Sequence, residues 1–243
     1  MAEADWTYLS GGLSASEVKR GATAGIAVPS GGGVFTFGMN SVEIVDGVVA
    51  LHTNQVNFVP MAKGGSVRGA VKRGVSGAAT GFAPFLFIGL GGTGVSDSAY
   101  LLGLADGDPH RIALRKGALS GGLPDNAVDP DASPNILMRS SDTYDNDTWL
   151  HLRLDMIVQG TGDVILQCFQ NDLDSNTVSS PTWQTIPGME GPQSPTVDGF
   201  IDDALGVNTG SAPYTSGRAG FGAKLEDVTR RVFFDHLEIA RQL

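Results

Sequence analysis

The sequence predicts an all-β fold, a two-sheet antiparallel β-sandwich, on three observations. Leu150, Leu152, Leu154 and Met156 alternate with His151, Arg153 and Asp155, so an extended segment has one apolar and one polar face. About a dozen comparable runs follow one another, with turn-forming residues every eight to twelve positions. No strand–helix–strand alternation and no repeat period interrupts the series. With 243 residues, 34 Gly and 12 Pro, the chain is long enough for one large β domain and rich in turn formers.

Residues 1–33 read differently from the rest. Leu9 to Arg20 is predicted as the one helix, opened by Ser14-x-x-Glu17, a capping-box spacing that satisfies two orphan amides. Gly21 to Gly33, ending Pro29-Ser30-Gly31-Gly32-Gly33, has the composition of a flexible connection. Residues 1–33 are therefore expected to form an N-terminal arm or docking segment, and residues 34–243 the sandwich. An edge piece packed on the domain is the competing reading of the arm.

Strands are expected at Val34–Phe37, then at Val42–Val45 and Val48–Leu51 joined by Asp46-Gly47, a dipeptide suited to a hairpin turn. Val67–Lys72, Phe82–Leu90, Tyr100–Leu104, Ile112–Lys116 and Ile136–Arg139 continue the series. The Trp149–Asp172 segment is a hairpin, its two apolar runs joined through Gln159-Gly160-Thr161-Gly162-Asp163. Trp183–Ile186, Gly217–Gly222 and Val232–Ile239 complete the set.

Charge and chemistry exclude several functions. Residues 121–243 carry seven Lys or Arg against eighteen Asp or Glu, which produces the net charge of −10 and argues against nucleic acid or an anionic membrane as partner. Phe82–Leu90 is too short to cross a bilayer, and the first residues lack the pattern of a secretory signal. The single cysteine, Cys168, excludes an intrachain disulfide and suggests assembly in a reducing cytoplasm.

Gly89-Leu90-Gly91-Gly92-Thr93-Gly94 spells G-x-G-x-x-G, but a strand rather than a helix is expected next, so no dinucleotide cofactor is predicted. Asp172-x-Asp174-x-Asn176 begins like a calcium loop, yet Thr177 replaces the glycine and Trp183 the bidentate glutamate. The Asp142, Asp145 and Asp147 group reads as turn chemistry, and the four His lie too far apart for metal spacing. No metal is predicted. The six Glu form no glycosidase strand motif, Gly74-Val75-Ser76-Gly77-Ala78 fails as a nucleophile elbow, and Cys168 reads as a packing residue. No enzyme is expected.

Trp149, Trp183, Tyr144 and Tyr214 offer apolar faces to sugar rings, with Trp149 better read as core rim. Tyr214, in the loop Gly210–Tyr214, is the surface candidate. Asp202, Asp203 and Arg218 complete a polar site for a glycan or partner.

The C-terminal half carries the motifs Trp149-Leu150-His151-Leu152-Arg153, Gly217-Arg218-Ala219-Gly220-Phe221-Gly222 and Val232-Phe233-Phe234-Asp235-His236-Leu237-Glu238-Ile239. They resemble the concanavalin A-like lectin/glucanase (laminin G-like) jelly roll over residues 98–243, and more weakly over 34–97. The resemblance implies a jelly-roll sandwich in which the glycines let sheets approach and Phe233 or Phe234 fills the core. The acid pair of the family's catalytic branch has no counterpart, and no calcium ligand or sugar contact carries over.

The chain is also similar in style to sandwich proteins of tailed-bacteriophage virions, which serve as head decoration, tail-tip or fibre components. That implies a non-enzymatic structural or attachment protein of the virion, assembled in the host cytoplasm. The implied partners are other virion proteins, further copies of the chain and a host surface glycan, without nucleic acid or membrane insertion. A carbohydrate-binding module is the alternative, and a glycan hydrolase the second alternative.

Overall fold

The computed structural model describes residues 6–8, 18–20, 35–38, 47–53, 64–73, 82–92, 94, 96–105, 110–123, 136–146, 148–171, 181–189, 199–225 and 231–241. Fifteen strands run through them: β1 (Trp6–Tyr8), β2 (Val18–Arg20), β3 (Phe35–Gly38), β4 (Gly47–Thr53), β5 (Gly64–Arg73), β6 (Phe82–Leu90), β7 (Ser98–Leu104), β8 (Ile112–Ala118), β9 (Ile136–Arg139), β10 (Leu150–Val158), β11 (Val164–Asn171), β12 (Trp183–Thr185), β13 (Phe200–Asp202), β14 (Arg218–Leu225) and β15 (Arg231–Arg241). A short 3-10 turn, Leu119–Gly121, follows β8. No helix among the described residues is long and apolar enough to cross a membrane.

The strands form two antiparallel sheets. One has seven strands in the order β1-β4-β14-β6-β7-β8-β9; the other has eight, in the order β12-β11-β10-β5-β15-β3-β2, with β13 also paired to β11. The predicted β10–β11 hairpin is present, with Leu152 facing Gln170 and Val158 facing Val164. Its turn closes by the Gln159 amide donating to the Asp163 carbonyl and the Gly162 amide to the Gln159 carbonyl, with Gly162 at φ +93°.

Period-two alternation places the core between the sheets. Leu152, Leu154, Met156, Val164 and Leu166 meet Leu86, Ile88, Leu102, Leu114 and Phe221, all fully buried. Phe221 of β14 and Phe234 of β15 close the gap, ring centroids 5.0 Å apart. Phe234, rather than Phe233, therefore fills the inter-sheet core.

β6 lacks alternation because it is buried on both faces. Leu86 and Ile88 enter the main core, while Phe85 and Phe87 join Leu101, Ala113, Leu119 and Leu123 in a second cluster.

Two elements differ from expectation. Val18–Arg20, expected as the end of a helix, is a strand paired with β3, Arg20 facing Phe35; Ser14, Glu17 and the rest of that segment lie outside the described residues. Pairing with a distant strand here overrides a local capping pattern. Gly47 opens β4 opposite Leu225, whereas residues 42–46 lie outside the described residues. β3 and β4 belong to opposite sheets. Within residues 1–33, β1 and β2 are end strands of the two sheets.

Candidate functional site

The candidate site lies at one end of the sandwich, where both sheets feed a single loop. Tyr100 of β7 and Lys116 of β8 are register partners, and Lys116 continues the inward series Ile112, Leu114. Asp202 arrives from the other sheet on β13, opposite Val164. Asp202 Oδ2 accepts from the Tyr100 hydroxyl at 2.6 Å and pairs with Lys116 Nζ at 2.7 Å. Asp202 Oδ1 accepts from the Thr209 hydroxyl at 2.8 Å.

Lys116 uses its remaining donor capacity on the loop. Its Nζ lies 2.9 Å from Thr209 Oγ1, 2.7 Å from the Ser211 carbonyl and 2.9 Å from the Ala212 carbonyl. The Tyr214 amide donates to Tyr100 Oη at 2.9 Å, and the two tyrosine rings sit 5.0 Å apart. Burial, and then the Asp202 carboxylate, push the Tyr100 phenol far above its ordinary value, so it remains a neutral donor. Buried charge survives here because nearly every lone pair and proton has a partner.

Outside this anchor the loop is shaped by two half-buried carboxylates. Asp203 Oδ1 accepts from the Leu205 and Val207 amides, each at 3.1 Å, and Oδ2 from the Asn208 amide at 2.8 Å. Asp163, in the β10–β11 turn, accepts from the Ala204 amide at 2.8 Å and the Thr161 hydroxyl at 2.7 Å. The Asn208 and then the Val207 amide hold the Asp203 carboxyl below its usual range; the Thr161 hydroxyl and then the Ala204 amide do so for Asp163. Gly206, at φ +70°, lets the chain fold back, since a Cβ there would meet the Ser211 backbone at 2.6 Å. The result is a fixed loop whose apolar side chains point outward: Leu205 is 88 % and Val207 78 % exposed.

Tyr214, Asp202, Asp203 and Arg218, picked out from the sequence, all come to this end, but in different roles. Asp202 is fully buried and its oxygens are committed. The Asp203 carboxylate holds backbone amides, and Arg218 Nη1 donates to the Gly92 carbonyl at 2.8 Å, tying the loop's exit to the glycine-rich turn. Tyr214 is half-buried against Tyr100. These residues build the loop, and Leu205 and Val207 form its outer surface.

Sequence reasoning missed Lys116, Tyr100 and Asp163. A signal for Lys116 existed: it falls on the core face of an alternating strand, where a lysine needs a buried partner.

The glycine-rich turn ends in a strand, as expected. The Gly94 amide donates to Asp97 Oδ2 at 2.7 Å, and β7 follows at Ser98. Burial pushes the Cys168 thiol up, consistent with packing rather than nucleophilic chemistry. Among the described residues no three His, Cys, Asp or Glu converge as metal ligands. Asp172, Asp174 and Asn176 lie outside the described residues.

No family pattern and no curated protein matches the sequence. Solved structures do match. The carbohydrate-binding module CBM66 from Bacillus subtilis superposes with a TM-score of 0.50 at 10% identity, covering 97% of this chain and 95% of that one. The PL-14 alginate lyase from Aplysia kurodai superposes with a TM-score of 0.52 at 9% identity, covering 93% and 88%. At that identity the likeness concerns architecture alone: the chain is a two-sheet antiparallel jelly-roll β-sandwich.

Proposed function

We propose that this chain is a non-enzymatic attachment protein whose lectin-like sandwich presents the 203–214 loop to a surface glycan. The observation that carries the reading is the pinned loop itself: Leu205 and Val207 stand exposed on a backbone held by Asp203, Asp163 and the buried Lys116–Asp202 pair. A binding loop fixed before its ligand arrives loses less entropy on association. The fold supports the glycan part of the reading, since one structural neighbour is named a carbohydrate-binding module. The non-enzymatic part rests on the spent chemistry of the site, where the phenol, ammonium and buried carboxylate satisfy one another.

The finer form of the proposal places the protein in a tailed-phage virion, as a tail-tip, fibre or head-decoration component. It rests on the resemblance in sequence style. Because β1 and β2 pair within the sheets, the test keeps the full chain: particles purified from infected cells should contain it at stoichiometric amounts, and its absence from particles rejects that setting.

Glycan arrays probed with the full chain test the core proposal. Saturable binding that is lost in the Leu205→Ser/Val207→Ser double variant is expected, without release of sugar from the bound polymer. No binding at high protein concentration, or sustained polymer cleavage, would overturn it.

A further inference from the structure

The outer face of the seven-stranded sheet holds a cation that the end loop does not use. Lys116 continues the inward series of β8, so alternation turns its neighbour Arg115 outward, onto the face it shares with Ala113 and Gly117. In register Arg115 stands opposite Leu101 of β7 and Ile136 of β9. Leu101, Ala113, Leu119 and Leu123 belong to the second apolar cluster, and Ile136 packs against it. Arg115 thus brings a guanidinium to an apolar layer, and it is only 9 % exposed.

Hydrogen bonds account for part of its donors. Nη1 donates to the Gly122 carbonyl at 2.5 Å and the Ala118 carbonyl at 3.3 Å, which holds the side chain against the 3-10 turn. Nε is enclosed and has no hydrogen-bond partner among the described residues, and Nη2 donates to none of them. No carboxylate among the described residues pairs with Arg115; the ion pairs there join other side chains. Two glycines border the free edge. A Cβ at Gly117 would stand 3.0 Å from Nη2 and 3.3 Å from Nε, and one at Gly121 2.6 Å from Nη2. Both glycines are half-buried, so the Nε–Nη2 edge lies under backbone that carries no side chain there. Burial lowers the pKa of the guanidinium, with the Tyr214 phenol acting the other way, yet an arginine keeps its proton. An enclosed charge without a counter-charge is costly, and an anion that reaches it relieves that cost.

We propose that Arg115 is the receptor for a single carboxylate, bound edge-on by Nε and Nη2 beside Gly117 and Gly121. Those two N–H groups form a planar fork that matches the two oxygens of a carboxylate. One negative charge balances one guanidinium, whereas a phosphate dianion would leave a second charge against an apolar layer. The chain's net charge of −10 repels a polyanion at long range, which favours a lone carboxylate over an acidic polymer. A free small acid and a peptide C-terminus present the same two oxygens, and the probes below separate them.

The test follows the Arg115 Nε–H resonance of the full chain, assigned through bonds from its own backbone amide so that no variant is needed. Sodium acetate, acetyl-triglycine, acetyl-triglycine amide and sodium phosphate are titrated at constant ionic strength. Acetate should move the resonance saturably, and the amide, which lacks a carboxylate, should leave it in place. A matching response to acetyl-triglycine assigns the site to a chain terminus, and a response to acetate alone assigns it to a small acid. Thermal unfolding gives a second readout: acetate should raise the midpoint above that in equal chloride. Arg115→Lys keeps the charge but loses the fork, so it should need at least about tenfold more acetate for the same rise. A resonance that no carboxylate moves, an equal response to the amide or to phosphate, or an acetate effect of full size in Arg115→Lys would overturn the proposal.

Discussion

Lys116 Nζ and Asp202 Oδ2 lie 2.7 Å apart with their side chains 4 % and 0 % exposed, and they join strands of opposite sheets. The pair is thus a cross-brace of the sandwich as well as the anchor of the 203–214 loop. Removing one partner leaves a desolvated charge behind, so Lys116→Met or Asp202→Asn should each cost about 3–5 kcal/mol. The double variant should cost clearly less than the sum, because the second change removes the stranded group. Urea unfolding of the four proteins measures the coupling; additive losses would show that the pair is not the brace described.

Gly64 makes a sharper test of the β5–β10 register. It takes φ +106°, and a Cβ there would stand 1.9 Å from the Met156 carbonyl oxygen. Gly64→Ala combines left-handed strain with a backbone collision, so it should destabilise by at least about 1–3 kcal/mol. Gly160 is the control: a Cβ added there would have nothing within 4 Å, and its φ is not in the left-handed range. Gly160→Ala should leave the urea midpoint nearly unchanged. Equal effects at the two positions would contradict the packing.

The loop should loosen in acid, and two carboxylates report on it separately. Asp163 and Asp203 have pKa values lowered in the fold from the ordinary 3.8. A depressed carboxylate contributes fully above its unfolded value, and the contribution fades as pH falls through the folded value below it. Amide hydrogen exchange at Leu205, Val207 and Asn208 should therefore lose protection as pH falls below the ordinary value near 3.8. Asp203→Ala should remove that protection at all pH values while sparing Ala204, whose amide is held by Asp163. Loss at Ala204 alone would reverse the assignment.

Much of the fold was legible in the sequence because strands with one wet face alternate, as Leu150 to Met156 do, and strands buried on both faces read as unbroken apolar runs, as Phe82 to Leu90 does. β13 was not legible: Phe200–Asp202 is three residues long and is defined by its pairing with β11. Val18–Arg20 misled because a local cap spacing said helix while β3 supplied a strand partner. At the site, loop composition drew attention to Tyr214, Asp202, Asp203 and Arg218. Their roles were hidden, since Asp202 is buried only because Lys116 and Tyr100 reach it from the other sheet. Trp183 has the same character, since it meets His151 and Arg68 through strand order, which sequence distance conceals.

Cys168 offers a probe of the whole sandwich. Its side chain sits in the inter-sheet core beside Leu166, and burial, followed by the charge of Asp155, raises its thiol pKa far above the reactive range. A neutral, enclosed thiol is a poor nucleophile, so an aromatic disulfide reagent should label native protein only through opening of the core. Labelling should be slow in buffer, complete at once in urea, and faster in Lys116→Met by about tenfold for each 1.4 kcal/mol of stability lost when reclosing outpaces the reagent. The Leu205→Ser/Val207→Ser variant, altered only on the exposed loop, should label at the parent rate. Rapid labelling of the native parent would show that Cys168 is reachable without unfolding and would place a channel through the core where the packing has none.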